Sequence, residues 1–216
     1  MKKLLIASLF LALPVISAEE TDIGFHGALP EDSKWQNIGS IKVESVEEAG
    51  VKALSFVDES ESGSPLITYP FDREFASRMR EEGYTLDIRL KHVLDGGPGG
   101  NFSIIVGLPG LSPLQISPYG QKSLLLSAFD FETQKSVGVG YPAGEDFIDV
   151  KAVYRPSAET GGGTCEIIIG GQASFTVRLG LVENSPRSAI EIGGRGGSSA
   201  ERTGRTFVES LKLSIP

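Results

Sequence analysis

Carboxylates, two histidines, one cysteine and a handful of large amphipathic aromatics are the residues of this 216-residue chain with chemistry to offer. The stretches that come nearest to a catalytic carboxylate pair are FDFETQ (129–134) and GEDFIDVK (144–151). Paired carboxylates cleave glycosidic bonds when they stand about 5–5.5 Å apart or wider, depending on mechanism. Asp149, however, shares its strand face with Lys151 and Arg155, which predicts a solvated face of cross-strand ion pairs. His26 and His92 are far apart in sequence and have no metal-ligand companions, so each is expected at the surface or the rim. Cys165 lies in GTCEIIIGG, in phase with Ile167 and Ile169, with no base near it in sequence. That predicts a buried, inert thiol rather than a nucleophile.

Sugar recognition needs an aromatic platform and planar polar groups, because a pyranose has an apolar face and a hydroxyl edge. Trp35, Tyr69, Tyr119 and Tyr141 are the large amphipathic aromatics near turns or strand ends. Tyr119 in SPYGQ and Tyr141 in GYPAG have the most exposed settings, Tyr69 is a further platform, and Trp35 is expected in the core. The segment IEIGGRGGSSAERTGRTFVESLKLSI (190–215) poses a separate question. Its glycines do not follow G-x-G-x-x-G, and a strand rather than a helix follows, so it is no dinucleotide loop. The glycines carry the chain from one sheet to the other, while Arg195 and the neighbouring serines offer a polar ligand edge that can pair with hydroxyls or a sugar carboxylate. Calcium has weak support: Asp95 and Asn101 bracket GGPGG and Asp58 ends a strand, but no dense acidic loop is present, and no cofactor is expected. The sequon NFS at Asn101 matters only in a eukaryotic secretory route.

These side chains must be held by strands. Glycine occurs 27 times, in clumps such as DGGPGGN, TGGGT and GGRGG, with short alternating or apolar runs between them. That punctuation belongs to an all-β chain. Strands are expected near 38–46, 51–57, 64–70, 84–93, 102–107, 122–131, 134–140, 147–155, 164–169, 173–180, 188–193 and 205–215. In YTLDIRLKHV, Tyr84, Leu86, Ile88 and Leu90 share one face, and Thr85, Asp87, Arg89 and Lys91 the other. FIDVKAVYR and ASFTVRLG alternate in the same way. Each strand therefore covers a core with one face and meets water with the other, as in two packed antiparallel sheets. GGQASF reads as a tight hairpin turning on Gly170 and Gly171. One short helix is expected in FDREFASRMREEG, capped by Asp72, with Phe75 and Met79 on one face and Gly83 at its end.

The first residues, MKKLLIASLFLALPVISA, join a basic head to an apolar run too short to span a bilayer, and end in small residues. They read as a bacterial secretory signal cut after Ala18, which places the chain outside the cell or in the periplasm. Removing 18 of the 216 residues leaves 198, and loss of Lys2 and Lys3 takes the formal charge from −8 to −10. An acidic chain without a basic stripe does not seek nucleic acid or insert into an anionic membrane. A lone cysteine forms no internal disulfide, so a hydrophobic core must hold the exported domain. The organisation expected is a signal at 1–18, a polar lead-in at 19–33 and a single β-sandwich domain over 34–216.

The order of features adds a resemblance. WQNIGSIKVESVEEAGVKALSFVDES opens a strand with Trp35, turns, and ends an apolar strand at Asp58; PLITYPF follows, and AIEIGGRGGSSAERTGRTFVESLKLSI closes the chain. This resembles the concanavalin A-like lectin/glucanase superfamily, and within it the lectin-like domain found beside secreted bacterial sialidases. Gly193, Gly194, Ser198, Ser199 and Gly204 match its late glycine-serine loop, and the likeness covers roughly 23–216. It implies an all-β, two-sheet antiparallel sandwich of jelly-roll type and binding of a glycan or glycoprotein without catalysis. Retaining glucanases of that class carry E-x-D-x-x-E on one strand, a spacing that neither acidic stretch has, and the aspartate-box repeats of sialidase propellers are absent from the sequence. Two alternatives remain open: a glycan-processing hydrolase on the same sandwich, and a structural or adhesive surface protein.

Overall fold

The structure, a computed structural model, describes residues 22–58, 63–94, 102–119, 124–141, 146–171, 173–183, 185, 187–194 and 204–216. Two sheets pack face to face, and every pairing between their strands is antiparallel. The first sheet runs in the order β13 (Ala173–Leu179), β12 (Gly163–Ile169), β11 (Ile148–Pro156), β6 (Tyr84–Leu94), β15 (Gly204–Ser214), β4 (Val51–Asp58) and β3 (Glu44–Glu48), with β1 (Asp22–His26) also paired to β15. The second runs β10 (Lys135–Tyr141), β9 (Leu124–Asp130), β8 (Leu114–Tyr119), β7 (Phe102–Gly107), β14 (Ala189–Gly194), β5 (Leu66–Pro70) and β2 (Gln36–Asn37).

Alternation explains the core. Leu86, Ile88 and Leu90 of β6 and Ile148, Val150 and Ala152 of β11 point inward against Ile104 and Val106 of β7, Ile116 of β8 and Ile190 and Ile192 of β14, all buried. Each such valine, leucine or isoleucine contributes about 1.5–3 kcal/mol when taken out of water. Trp35 is in the core as expected, edge-on to Phe25 at 5.4 Å. The hairpin between β12 and β13 turns on Gly170 and Gly171, at φ of 56° and 68°, backbone angles that favour glycine. The helix α1 (Arg73–Glu82) also forms as expected. Asp72 caps it by accepting from the Phe75 amide at 2.8 Å, Phe75, Ala76 and Met79 are buried, and Gly83 ends it. It joins β5 of one sheet to β6 of the other.

Several expectations are corrected. Residues 22–26, expected within the polar lead-in, form β1, and Ile23 and Phe25 enter the core. The first half of β15 pairs with β4 and its second half with β1, while its ladder to β6 shifts register between Val208 and Ser210. The strand expected at 38–46 lies instead at 44–48, with a two-residue strand at 36–37. β8 was hidden by Pro118, which removes a ladder donor. The ladder from β8 to β7 stops at Ile116, before Pro118, while the ladder to β9 continues through Tyr119. Lys91, expected on the water face, is buried, with its ammonium 2.8 Å from Glu48.

Cys165 is fully buried on β12, and burial pushes its thiol up to about 12. Arg155 lowers it and Glu166 raises it further, by smaller amounts. At neutral pH the native protein is therefore expected to leave a chromogenic disulfide reagent unreacted and to consume one equivalent once unfolded. Rapid reaction of the native protein would contradict this placement.

Candidate functional site

Sheet order brings three distant parts of the sequence to one end of the sandwich. Tyr119 closes β8, Tyr141 closes β10, and Gly194, the residue before Arg195, closes β14. Their backbone positions are set by register: Tyr119 lies opposite Leu125, Tyr141 opposite Leu124, and Gly194 opposite Phe102. β8 and β10 both flank β9, and only β7 separates β8 from β14, so the three strands run in the same direction. With neighbouring strands about 4.8 Å apart, each of these ends lies about 10 Å from the next. The side chains of Asp58, Tyr119 and Tyr141, and the whole of Asp95, Asn101, Arg195, Ser198 and Ser199, lie outside the described residues.

Tyr69 is not part of this end group. It is 4 % exposed, its ring lies 5.4 Å from Trp35 at 66°, and the Lys34 ammonium sits 5.7 Å from its centroid. The expectation of Tyr69 as a sugar platform is corrected: both its edge and its face are occupied by the protein. His92 departs from expectation too, being buried with its Nδ1 2.7 Å from the Thr206 hydroxyl. His26 is exposed, 3.5 Å from Glu209. Among the described residues no group of three His, Cys, Asp or Glu side chains is arranged to hold a metal ion.

The outer face of the first sheet carries a lattice of ion pairs across a shallow groove of about 630 Å³. Arg89 reaches Glu209 at 2.6 Å and Asp149 at 3.2 Å; Lys151 lies 3.4 Å from Asp87 and Arg155 3.2 Å from Glu166. The Glu209 hydrogen bond does most to hold the Arg89 guanidinium above its usual pKa, against the cost of its burial. Asp149 is thus committed to a cation, as its alternation with Lys151 and Arg155 implies. Such exposed pairs add about 0–1 kcal/mol each and leave few free groups for a ligand.

At the opposite end, the turn between β9 and β10 builds a second groove, of about 550 Å³. Asp130 organises it. Its carboxylate, 5 % exposed, accepts from the Thr133 amide at 2.7 Å, the Thr133 hydroxyl at 2.8 Å and the Arg178 amide of β13 at 2.8 Å. Burial would raise its pKa, but those bonds to the charged form outweigh burial and hold it below the ordinary value. Sequence reasoning weighed FDFETQ only as a source of catalytic acids. The Asp-x-x-Thr spacing in it was the signal for this side-chain-to-backbone turn.

No family model matches the sequence, and no curated protein matches it. Solved structures match its fold. The carbohydrate esterase of the Shiga toxin-encoding bacteriophage phi24B is similar with a TM-score of 0.66 at 14 % identity, over 89 % of this chain and 97 % of that one. Peanut lectin, in complex with a nine-residue peptide, is similar with a TM-score of 0.55 at 10 % identity, over 90 % of this chain and 97 % of that one. Botulinum neurotoxin type C, described as entering cells through interaction with two ganglioside molecules, is similar with a TM-score of 0.60 at 9 % identity, over 90 % of this chain and 48 % of that one. The fold is a two-sheet antiparallel β-sandwich of the kind these structures share.

Proposed function

We propose that the protein is an exported, non-catalytic carbohydrate-binding domain of bacterial type, acting outside the cell or in the periplasm. The observation that carries the reading is the convergence of the strand ends at Tyr119, Tyr141 and Gly194 at one end of the second sheet. Three positions about 10 Å apart match the span of a short oligosaccharide. Tyr119 and Tyr141 stack on ring faces, and Arg195 pairs with hydroxyls or a sugar carboxylate in bidentate fashion. The fold shared with peanut lectin supports the same class, as does the ganglioside interaction named for botulinum neurotoxin type C.

Few contacts are buried in such a site, so dissociation constants of about 10 μM to 1 mM are expected, equivalent to about 4–7 kcal/mol. Replacing Tyr119 or Tyr141 by alanine should weaken binding about 3- to 10-fold with the melting temperature unchanged. A glycan array followed by calorimetry on sialylated, mucin-type and neutral glycans checks this. Absence of binding at millimolar concentration would return the chain to the adhesive or structural class.

One observation favours a second reading, a glycan-processing hydrolase: the phage carbohydrate esterase shares this sandwich over nearly its full chain. Release of acetate or of free sugar from any of the same glycans, abolished by a single acidic or hydroxyl substitution, would decide for it.

A further inference from the structure

We infer that the groove beside the β9–β10 turn is a second glycan site, shaped for the face of a neutral pyranose, at the end of the sandwich opposite Tyr119 and Tyr141. The inference does not depend on the first site. It rests on how Phe131 is held and on what surrounds it.

Phe131 is half-buried in the groove wall, and a Cβ built on Gly180 would overlap its ring. The ring therefore lies directly on the Gly180 backbone, where any other residue would displace it. Its own amide donates to the Arg178 carbonyl at 2.9 Å, and Asp130 clamps the same turn to the same strand. An aromatic ring fixed from behind, at the edge of a groove, loses little freedom when a ligand stacks on it.

The rim supplies what a sugar edge needs. Thr160 and Gln134, both exposed, add a hydroxyl that also accepts from the Gly162 amide and an amide that also donates to the Phe131 carbonyl. Arg178 and Glu132 form an ion pair at the rim with side chains 53 % and 63 % exposed. Glu132 also does most to hold the Arg178 guanidinium above its usual pKa. A guanidinium beside a carboxylate offers planar donors next to planar acceptors, which suits two neighbouring hydroxyls, each of which both donates and accepts. Because the pair is internally neutral, an ionic ligand would have to break it, while an uncharged polyol does not. The volume, about 550 Å³, lies within the range of small-molecule sites.

Position gives the site its consequence. It lies at the Asp130 end of β9, whereas Tyr119 and Tyr141 pair at the Leu124 end. The seven residues of β9 separate the two ends by about 20 Å. One domain so equipped can hold two rings of a long chain, or two chains, and gains avidity for a polymer over its fragments.

The test is a two-dimensional amide NMR titration of the full chain with maltose, cellobiose and lactose, each to about 20 mM, beside sialyllactose. At least one neutral disaccharide is expected to shift the amides of Phe131, Thr160 and Gly180. Phe131→Leu, which keeps apolar volume but removes the ring, should weaken that titration about 3- to 10-fold. Arg178→Gln, an independent variant on an exposed side chain, should weaken it as well. Tyr119→Ala should leave it unchanged. No shift at these three amides with any neutral disaccharide overturns the inference, as does a titration indifferent to both Phe131→Leu and Arg178→Gln. Shifts confined to residues near Tyr119, Tyr141 and Gly194 would sink the second site while leaving the first reading intact. Shifts confined to the Phe131 groove would do the reverse.

Discussion

Tyr154→Ala is expected to lower stability by about 3–5 kcal/mol, the usual cost of deleting a buried aromatic side chain. Tyr154 is 2 % exposed on the inner face of β11, with its ring 5.2 Å from that of Tyr84. Its hydroxyl donates to the Gly162 carbonyl at 3.2 Å, and a Cβ on Gly163 would come within 2.6 Å of its ring. The tyrosine thus supports the glycine loop between β11 and β12 from below, and the loop cannot collapse into the vacated space without breaking the β12 ladder. In a domain of this size the loss corresponds to a fall in melting temperature of about 10 °C or more. Tyr154→Phe removes only the hydrogen bond and should cost about 1 kcal/mol. Burial raises the Tyr154 phenol above its ordinary value, with Arg80 opposing and Cys165 adding smaller effects, and burial holds Tyr84 well above its own. The folded protein then holds these phenolic protons more tightly than the unfolded chain does. Their contribution is complete below about pH 10 and is lost as the pH climbs through the raised folded values. Urea unfolding at rising pH should show an alkaline decline that Tyr154→Phe makes shallower. An Ala variant within 1 kcal/mol of the parent would mean that the loop is not supported by this ring.

Asp130→Ala is the second large effect, expected at about 2–4 kcal/mol. Three donors lose their acceptor at once, and two of them are backbone amides, each costing about 1–3 kcal/mol when left unsatisfied; partial hydration at the turn reduces the sum. Asp130→Asn keeps one acceptor oxygen and should cost less. The pH dependence has the opposite sign to that of the tyrosines. A carboxyl held below its ordinary value binds its proton more weakly in the folded chain than in the unfolded one. Its contribution is fully present above about pH 4 and disappears as the pH falls through the lowered folded value. In acid unfolding followed by circular dichroism, stability should therefore fall more steeply with decreasing pH in the parent than in the Asn variant, which lacks the titrating group. An unchanged slope would mean that Asp130 is not the group responsible. Because the same carboxylate ties the β9–β10 turn to β13, both variants should also weaken binding in the Phe131 groove.

The amino-acid order alone determined which segments extend and which side chains turn inward, because both depend on local rules. In an extended chain successive side chains point to opposite faces, so YTLDIRLKHV and FIDVKAVYR announce their buried sets without reference to any partner. The Asp72 cap, the Gly83 stop and the Gly170–Gly171 turn are set within a few residues of backbone, and all three formed as the sequence implied. Trp35 and Cys165 were legible as core for the same reason. Neighbours in space decided the rest. β1 has too few residues to register as a strand until β15 offers an edge, and β8 reads as a loop until its paired partners on either side of Pro118 are known. Tyr69 looked like an exposed platform until Lys34 and Trp35 were brought against it, and Lys91 and His92 looked like surface until Glu48 and Thr206 arrived from distant strands. The grouping of Tyr119, Tyr141 and Gly194, and the seating of Phe131 on Gly180, exist only through sheet order. Alternation says which face a side chain takes, but pairing between strands far apart in sequence decides which ends meet, and no local pattern encodes it.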